Sequence, residues 1–159
     1  MKKYYRLLLL IVIVFNVLPL NIYAKHSGAQ AMQIGPRFFI ETHEKNLGKD
    51  LNPKVLKKKM EQLFVDNNYL VVFKKENADY IIEVFTNTKK FKKDRRIRYS
   101  ILFGKIRVLN SYEQAIIEKS IEGINGSQLN YFDAGLDAYN NLSIYMNREF
   151  LPKLKEALN

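Results

Sequence analysis

The chain contains no cysteine and no tryptophan among its 159 residues. Without cysteine it has no disulfide framework, no thiolate ligand for a metal and no thiol nucleophile. The lipid anchor that bacterial lipoproteins carry on a cysteine is excluded for the same reason. Export to an oxidising compartment is compatible with this composition, although the chain has no cysteine with which to form the disulfides that such a compartment permits.

The N-terminal segment has the parts of a secretory signal. Met1–Arg6 carries three positive charges and no acid, eight aliphatic residues follow from Leu7, and the apolar tract continues to Leu20. We predict a signal peptide over residues 1–24, cleaved near Ala24. The mature protein is then periplasmic or secreted and has no stable membrane span. Small residues at 27–29 offer a second cleavage site.

An uncleaved membrane anchor is the alternative for this segment. A spanning helix needs roughly 20 mostly apolar residues. Residues 7–24 offer eighteen, and Asn16, Pro19 and Asn21 interrupt them. The shortness of the segment favours cleavage.

Catalytic motifs are also missing from the chain. It has no G-x-S-x-G elbow, no glycine-rich phosphate loop and no H-E-x-x-H. The two histidines, His26 and His43, lack a carboxylate cluster at ligand spacing, so we predict neither a metal nor another cofactor. His43 is expected to be an ordinary loop residue.

Acidic side chains are spread along the predicted strands. Glu83, Glu118 and Glu122 could approach one another across neighbouring strands, which keeps an envelope-located hydrolase or other enzyme as an alternative. Alternating acids on a half-exposed sheet are more typical of its solvent face. We therefore expect a protein without catalytic activity.

Positive charge exceeds negative charge in the chain, with a formal net charge of +10. Removing residues 1–24 takes away Lys2, Lys3 and Arg6, so +10 minus 3 leaves +7. For an exported protein this excess favours an anionic envelope component, or an envelope protein, as partner. Nucleic acid is not expected, because export removes the chain from it.

Apolar patterns divide the mature chain into strands and helices. Residues 25–36 predict a loose leader, and residues 37–159 predict one domain. Strand patterns cover residues 37–42, 69–73, 79–86, 97–109 and 114–124, and Gly123 and Gly126 are expected to end the sheet. Asn52 as N-cap and Pro53 as first residue predict the start of one helix. A second helix is predicted from about Asp133, and Pro152 should kink or interrupt it.

This order predicts an α+β fold of two layers. We expect a mixed sheet of about five strands, mostly antiparallel, with two helices on one face. A crossover helix lets the first two strands lie parallel, and tight turns make the others antiparallel. The apolar positions on either side of Gly104 differ in parity, which predicts a β-bulge at that glycine.

A strongly basic segment is predicted at the tip of a hairpin. Between Lys89 and Arg98 it has seven cations and one acid. One interpretation is an electrostatic finger that meets an anionic surface, with an apolar contact from a phenylalanine. The other is a solvated turn that protects the hairpin edge from aggregation. The candidate binding residues are Lys89, Lys90, Phe91, Lys92, Lys93, Arg95, Arg96 and Arg98.

The segments Leu63–Val72 and Asn77–Glu83, in which Ala-Asp-Tyr opens a long strand, resemble the periplasmic domains of two groups of lipoproteins. These are the curli-secretion-type and the penicillin-binding-protein-activator lipoproteins. Such domains close with a strand, a glycine-bearing turn and a helix, here Ile121–Gly123 and Asp133–Ala138. The lipopolysaccharide-assembly lipoprotein family has a similar outline. The resemblance implies an adaptor, activator or assembly component, although this chain lacks the cysteine that those lipoproteins carry.

Overall fold

The computed structural model describes residues 35–158. The predicted signal peptide, residues 1–24, and all but the last two residues of the predicted leader lie outside the described part. None of the helices between residues 35 and 158 has the length and apolar character needed to cross a membrane.

The described chain forms six strands and three α-helices. In chain order they are β1 (Arg37–Asn46), β2 (Lys49–Asp50), α1 (Val55–Asp66), β3 (Leu70–Val71), a 3-10 turn (Lys75–Asn77), β4 (Tyr80–Asp94), β5 (Ile97–Asn110), β6 (Ala115–Gln128), α2 (Tyr131–Tyr145), a π-helical segment (Met146–Phe150) and α3 (Leu151–Leu158). His43, expected in a loop, lies in β1, because that strand is longer than its apolar pattern indicated.

The strands form one mixed sheet in the order β2-β1-β4-β5-β6, with β3 also paired to β1. Strand β1 is parallel to β3 and β4, and the β4–β5 and β5–β6 pairs are antiparallel. The helical segments pack on one face, where one buried cluster joins sheet and helix residues. The predicted α+β class, with its mostly antiparallel mixed sheet, is confirmed. The cluster comprises Phe38, Ile40, Leu56, Met60, Phe64, Ile82, Val84, Leu102, Ile106, Val108, Ile121, Ala138, Tyr139, Leu142, Met146, Phe150, Leu151 and Leu154.

The start of α1 is set by a buried carboxylate from a distant part of the chain. Glu44, only 2% exposed, accepts hydrogen bonds from the backbone N–H groups of Val55, Leu56 and Lys57 at 2.8–2.9 Å. These are N–H groups that the first turn of a helix leaves without intrahelical partners. The predicted start at Asn52–Pro53 is therefore wrong, because the cap comes from β1 rather than from the preceding residues.

The predicted strand at residues 69–73 is also much shorter than expected. Only Leu70 and Val71 pair with β1, and Phe73 is 88% exposed. The chain crosses from one edge of β1 to the other before β4 begins, so the pairing ends after two residues.

Two strands run further than predicted, and the β-bulge lies on a different strand. Strand β4 continues from Thr86 to Asp94, and β6 passes Gly123 and reaches Gln128. Leu102 pairs with Ile124 and Gly104 with Ile121, so the extra residue belongs to β6. Gly123 has φ +77°, the left-handed conformation that a glycine bulge requires.

Close contact between α2 and the sheet depends on two glycines. A Cβ at Gly126 would lie 2.1 Å from the carbonyl oxygen of Ala134, and one at Gly135 would lie 1.9 Å from Oδ1 of Asn46. Gly126 therefore does not end the sheet as predicted, but lets the helix cross β6.

The predicted interruption near Pro152 takes the form of a π-helical segment. The N–H of Leu151 donates to the carbonyl of Met146, five residues earlier. The wider turn accommodates a proline that has no N–H and whose ring displaces the preceding carbonyl.

Candidate functional site

The face of the sheet opposite the helices carries a group of aromatic rings. His43 of β1 stacks on Phe85 of β4 with ring centroids 4.5 Å apart and an interplanar angle of 2°. Phe103 of β5 lies on the same face, and Phe85 and Phe103 are 42% and 39% exposed. We call His43, Phe85 and Phe103 the aromatic face. The sequence did not reveal it, because the parallel register of β1 and β4 brings together residues that are about forty positions apart.

A shallow depression of about 290 Å³ lies among these rings. Lys45 and Lys105 are the cations at its border, and Asn87 adds an amide. None of its lining residues is Asp or Glu. The rings of Phe85 and Phe103 make the depression suitable for an apolar group.

The acids that the sequence suggested for catalysis are not brought together. Glu83 of β4 accepts a hydrogen bond from the Arg107 guanidinium at 2.7 Å, and the Glu118 carboxylate of β6 lies 2.6 Å from the ammonium of Lys105. Arg107 pairs across the strands with both acids, so it lies between them. Two strand spacings, about 10 Å, separate the acids, too far for the carboxylates to share a proton. Glu122 is exposed at the bulge of β6.

The predicted basic hairpin is present, and we call Lys89–Arg98 the basic arm. Most of its cations lie on the paired strands β4 and β5 rather than in a long turn, since the turn is only Arg95 and Arg96. Arg95 adopts φ +48°, which closes this two-residue turn. The turn is shorter than predicted, because strand pairing continues to Asp94 and Ile97.

A bulge divides the arm into a root and a tip. Between Lys90 and Lys92 the register shifts by one residue, so Phe91 has no partner on β5 and is 56% exposed. The tip, from Phe91 to Arg96, is exposed throughout. The other members of the arm lie nearer the body of the sheet.

Several arm cations rest on aromatic rings. Nζ of Lys92 lies 4.5 Å from the Tyr99 ring centre, and Nζ of Lys89 lies 5.4 Å from that of Phe103. On the opposite face, Lys90 and Arg98 lie 5.3 and 5.9 Å from the ring of Tyr131 at the start of α2. Cation–π contacts at exposed sites stabilise by about 0.5–1 kcal/mol, and they leave the positive charge unneutralised.

Within residues 35–158, none of the seven arm cations forms an ion pair. The sequence of residues 1–34 contains no Asp or Glu that could supply one. The only acid of the arm, Asp94, is also exposed. With seven cations and one acid, the basic arm therefore has a formal charge of 7 minus 1, or +6, and no ion pair among the described residues.

Two tyrosines of α2, Tyr139 and Tyr145, belong to the core or pack against it. Tyr139 is fully buried, and its hydroxyl donates to the carbonyl of Lys45 at 2.9 Å and lies 3.0 Å from Oγ1 of Thr86. Burial raises the pKa of Tyr139 to about 12. Tyr145 is partly buried against the same cluster.

The fold is similar to that of known proteins, although the sequence is not. No family profile matches the chain, and no curated protein sequence matches it. The suggested resemblance to curli-secretion-type or penicillin-binding-protein-activator domains therefore has no support from sequence families. A homologue of the neuraminyllactose-binding haemagglutinin from Helicobacter pylori has a TM-score of 0.50 and 13% identity, over 77% of this chain and 91% of that chain. A protein described as a lipoprotein from Caulobacter crescentus CB15 has a TM-score of 0.50 and 10% identity, over 75% and 89%. At these identities the likeness is one of fold.

Proposed function

We propose that this chain is an exported, non-catalytic envelope protein that acts as an adaptor and binds its partner through the aromatic face. The observation that carries this proposal is the side of the sheet that the helices of residues 35–158 leave exposed, where His43, Phe85 and Phe103 surround a shallow depression with no Asp or Glu among its lining residues. Half-exposed aromatic rings that cluster on one surface are typical of interaction sites.

The fold and the N-terminal sequence support the envelope location. A protein of similar fold is described as a lipoprotein, a class that functions in the envelope. The basic and apolar segment at residues 1–24 has the pattern of an export signal. Because the chain has no cysteine, it would work in the envelope without a lipid anchor of that kind.

The chemistry of the face indicates the kind of partner segment that fits. The rings offer apolar contact. Of the two ammonium groups that border the depression, that of Lys105 is paired with Glu118 and that of Lys45 lies 4.0 Å from Asp50. An aliphatic or aromatic side chain would therefore complement the face. The alternative, a hydrolase that uses Glu83, Glu118 and Glu122, requires two of these carboxylates at one point, and the position of Arg107 between Glu83 and Glu118 speaks against it.

A photo-crosslinking amino acid at position 103 tests this proposal in the native envelope. We expect a discrete crosslinked product in the envelope fraction from position 103, and we expect Phe85→Ser to abolish it. The matched control is the same amino acid at position 144, where Ile144 is an exposed apolar residue on the helical layer. Recovery of the chain in the cytoplasm, or equal products from positions 103 and 144, would contradict the proposal.

A further inference from the structure

We propose that the tip of the basic arm docks end-on to an anionic lipid bilayer. This inference goes beyond the proposed function, because it depends on the arm alone and not on the aromatic face. The tip consists of Phe91, Lys92, Lys93, Arg95 and Arg96, together with Asp94.

Charge is the first argument for a membrane surface. The tip has four cations and one acid, and none of these cations is in an ion pair within residues 35–158. Each Lys or Arg side chain near an anionic leaflet adds to the electrostatic attraction between protein and membrane. This attraction falls off within a Debye length. Unpaired cations lose no existing ion pair when they meet the lipid phosphates.

The shape of the arm is the second argument. Among the described residues, pairing of β1 with β4 ends at Lys45 and Asn87, and pairing of β6 with β5 ends at Arg98. Beyond Arg98 and its partner Lys93, the hairpin has no paired strand on either side within residues 35–158. A projecting tip with four cations presents its end to a flat surface, whereas a polymer chain is better held by a charged groove.

Phe91 is the third argument, because it favours lipid over a purely charged partner. The bulge leaves its ring exposed among cations rather than paired against β5. An aromatic ring beside Lys and Arg suits the boundary between headgroups and acyl chains. A soluble polyanion has no apolar layer for this ring to enter.

The arm also divides the eight candidate residues by role. Lys89, Lys90 and Arg98 at the root rest on the rings of Phe103 and Tyr131, and Arg98 also donates to the carbonyl of Arg95 at 3.2 Å. These three hold the hairpin in position. The five named residues of the tip make the contact.

Vesicle binding by the mature form recovered after export tests the proposal. The probes are vesicles of phosphatidylcholine alone and of phosphatidylcholine mixed with phosphatidylglycerol. We expect binding to the mixed vesicles only, weakened by salt. At the usual attraction per cation, Lys93→Gln/Arg95→Gln/Arg96→Gln should weaken it by about 100-fold.

The matched control removes the same charge from the helical layer. Lys58, Lys59 and Lys153 are exposed, and their triple replacement by Gln should leave vesicle binding within about twofold of the wild type if contact is local. Equal losses from the two triple variants would overturn the proposal, because net charge would then explain the binding. Absence of binding by the wild type would overturn it too, and the arm would be a solubilising edge.

Phe91→Ser distinguishes lipid from other anions. We expect this variant to bind the mixed vesicles several-fold more weakly, because it lacks a ring that enters the bilayer to a depth of about 5–10 Å. It should bind soluble polyphosphate as the wild type does. Polyphosphate binding as tight as vesicle binding, with no effect of Phe91→Ser on either, would overturn the lipid assignment. Because Phe85 and Phe103 are unchanged in these variants, the crosslink from position 103 reports independently on the proposed function.

Discussion

The same two strands build two regions in which charge is handled in opposite ways. In the body of the sheet, Arg107 faces Glu83 and Lys105 faces Glu118 across neighbouring strands. In the basic arm, four of the seven cations lie against aromatic rings, and none forms an ion pair with another described residue. The difference indicates that charge in the body serves the register and folding of the sheet, and that charge in the arm is available to a partner.

The buried acid of the body gives the largest expected effect. Glu44→Ala removes the group that accepts three backbone N–H bonds at the start of α1, and it leaves one buried and two partly buried donors without that acceptor. We expect the free energy of unfolding to fall by about 3 kcal/mol, measured by urea denaturation. Glu122→Gln, at an exposed acid, is the control and should change it by less than about 0.5 kcal/mol. A similar stability for both variants would remove the structural role assigned to Glu44.

A buried tyrosine of the body should make stability depend on alkaline pH. Its folded pKa is raised to about 12, whereas an unfolded tyrosine has a pKa near 10. The neutral hydroxyl of Tyr139 therefore contributes stability that is fully present below about pH 10 and is lost as the pH rises towards about 12. The loss should reach about 2 kcal/mol.

Tyr139→Phe is the comparison for this pH effect, because it removes the ionisable hydroxyl and keeps the ring. We expect the wild type to be more stable at neutral pH and the difference between the two proteins to shrink above about pH 10. Thermal unfolding across this range measures it. A constant difference from pH 8 to about 12 would show that Tyr139 does not titrate as its burial requires.

The smallest effects compare the two regions directly. Glu83→Gln breaks the pair with Arg107, whose Nε is buried without a hydrogen-bond partner among the described residues. We expect this to lower stability by about 1 kcal/mol. Lys93→Gln/Arg95→Gln/Arg96→Gln should leave the melting temperature unchanged or slightly higher, because it relieves repulsion between like charges. If the arm variant loses as much stability as Glu83→Gln, the arm is part of the folding framework and the contrast fails.

Much of the fold follows from patterns that are local in the chain. The alternating residues from Tyr80 onwards and the short polar turns predict an antiparallel meander, and Pro152 predicts a break in the last helix. Both features are present. The hairpin that carries the basic arm was also predictable, since strand-forming residues flank it on both sides.

Features that depend on distant contacts were not predictable in this way. Glu44 is eleven residues from the first N–H that it accepts, so no local capping pattern marks it. The bulge at Gly123 depends on how β6 pairs with β5, and the bulge at Phe91 depends on how β4 pairs with β5. Register is a property of two strands together, and the sequence of one strand does not contain it.

The sequence by itself determined the absence of thiol chemistry, the excess of positive charge and the order of strands and helices, because composition and local periodicity need no neighbours. Only the tertiary structure decided that Glu83 and Glu118 are separated by Arg107 and that His43 stacks on Phe85. The physical reason is the same in both cases. Side chains interact across the spacing of neighbouring strands, which is about 5 Å. The pairing of strands, rather than distance along the chain, therefore sets which side chains meet.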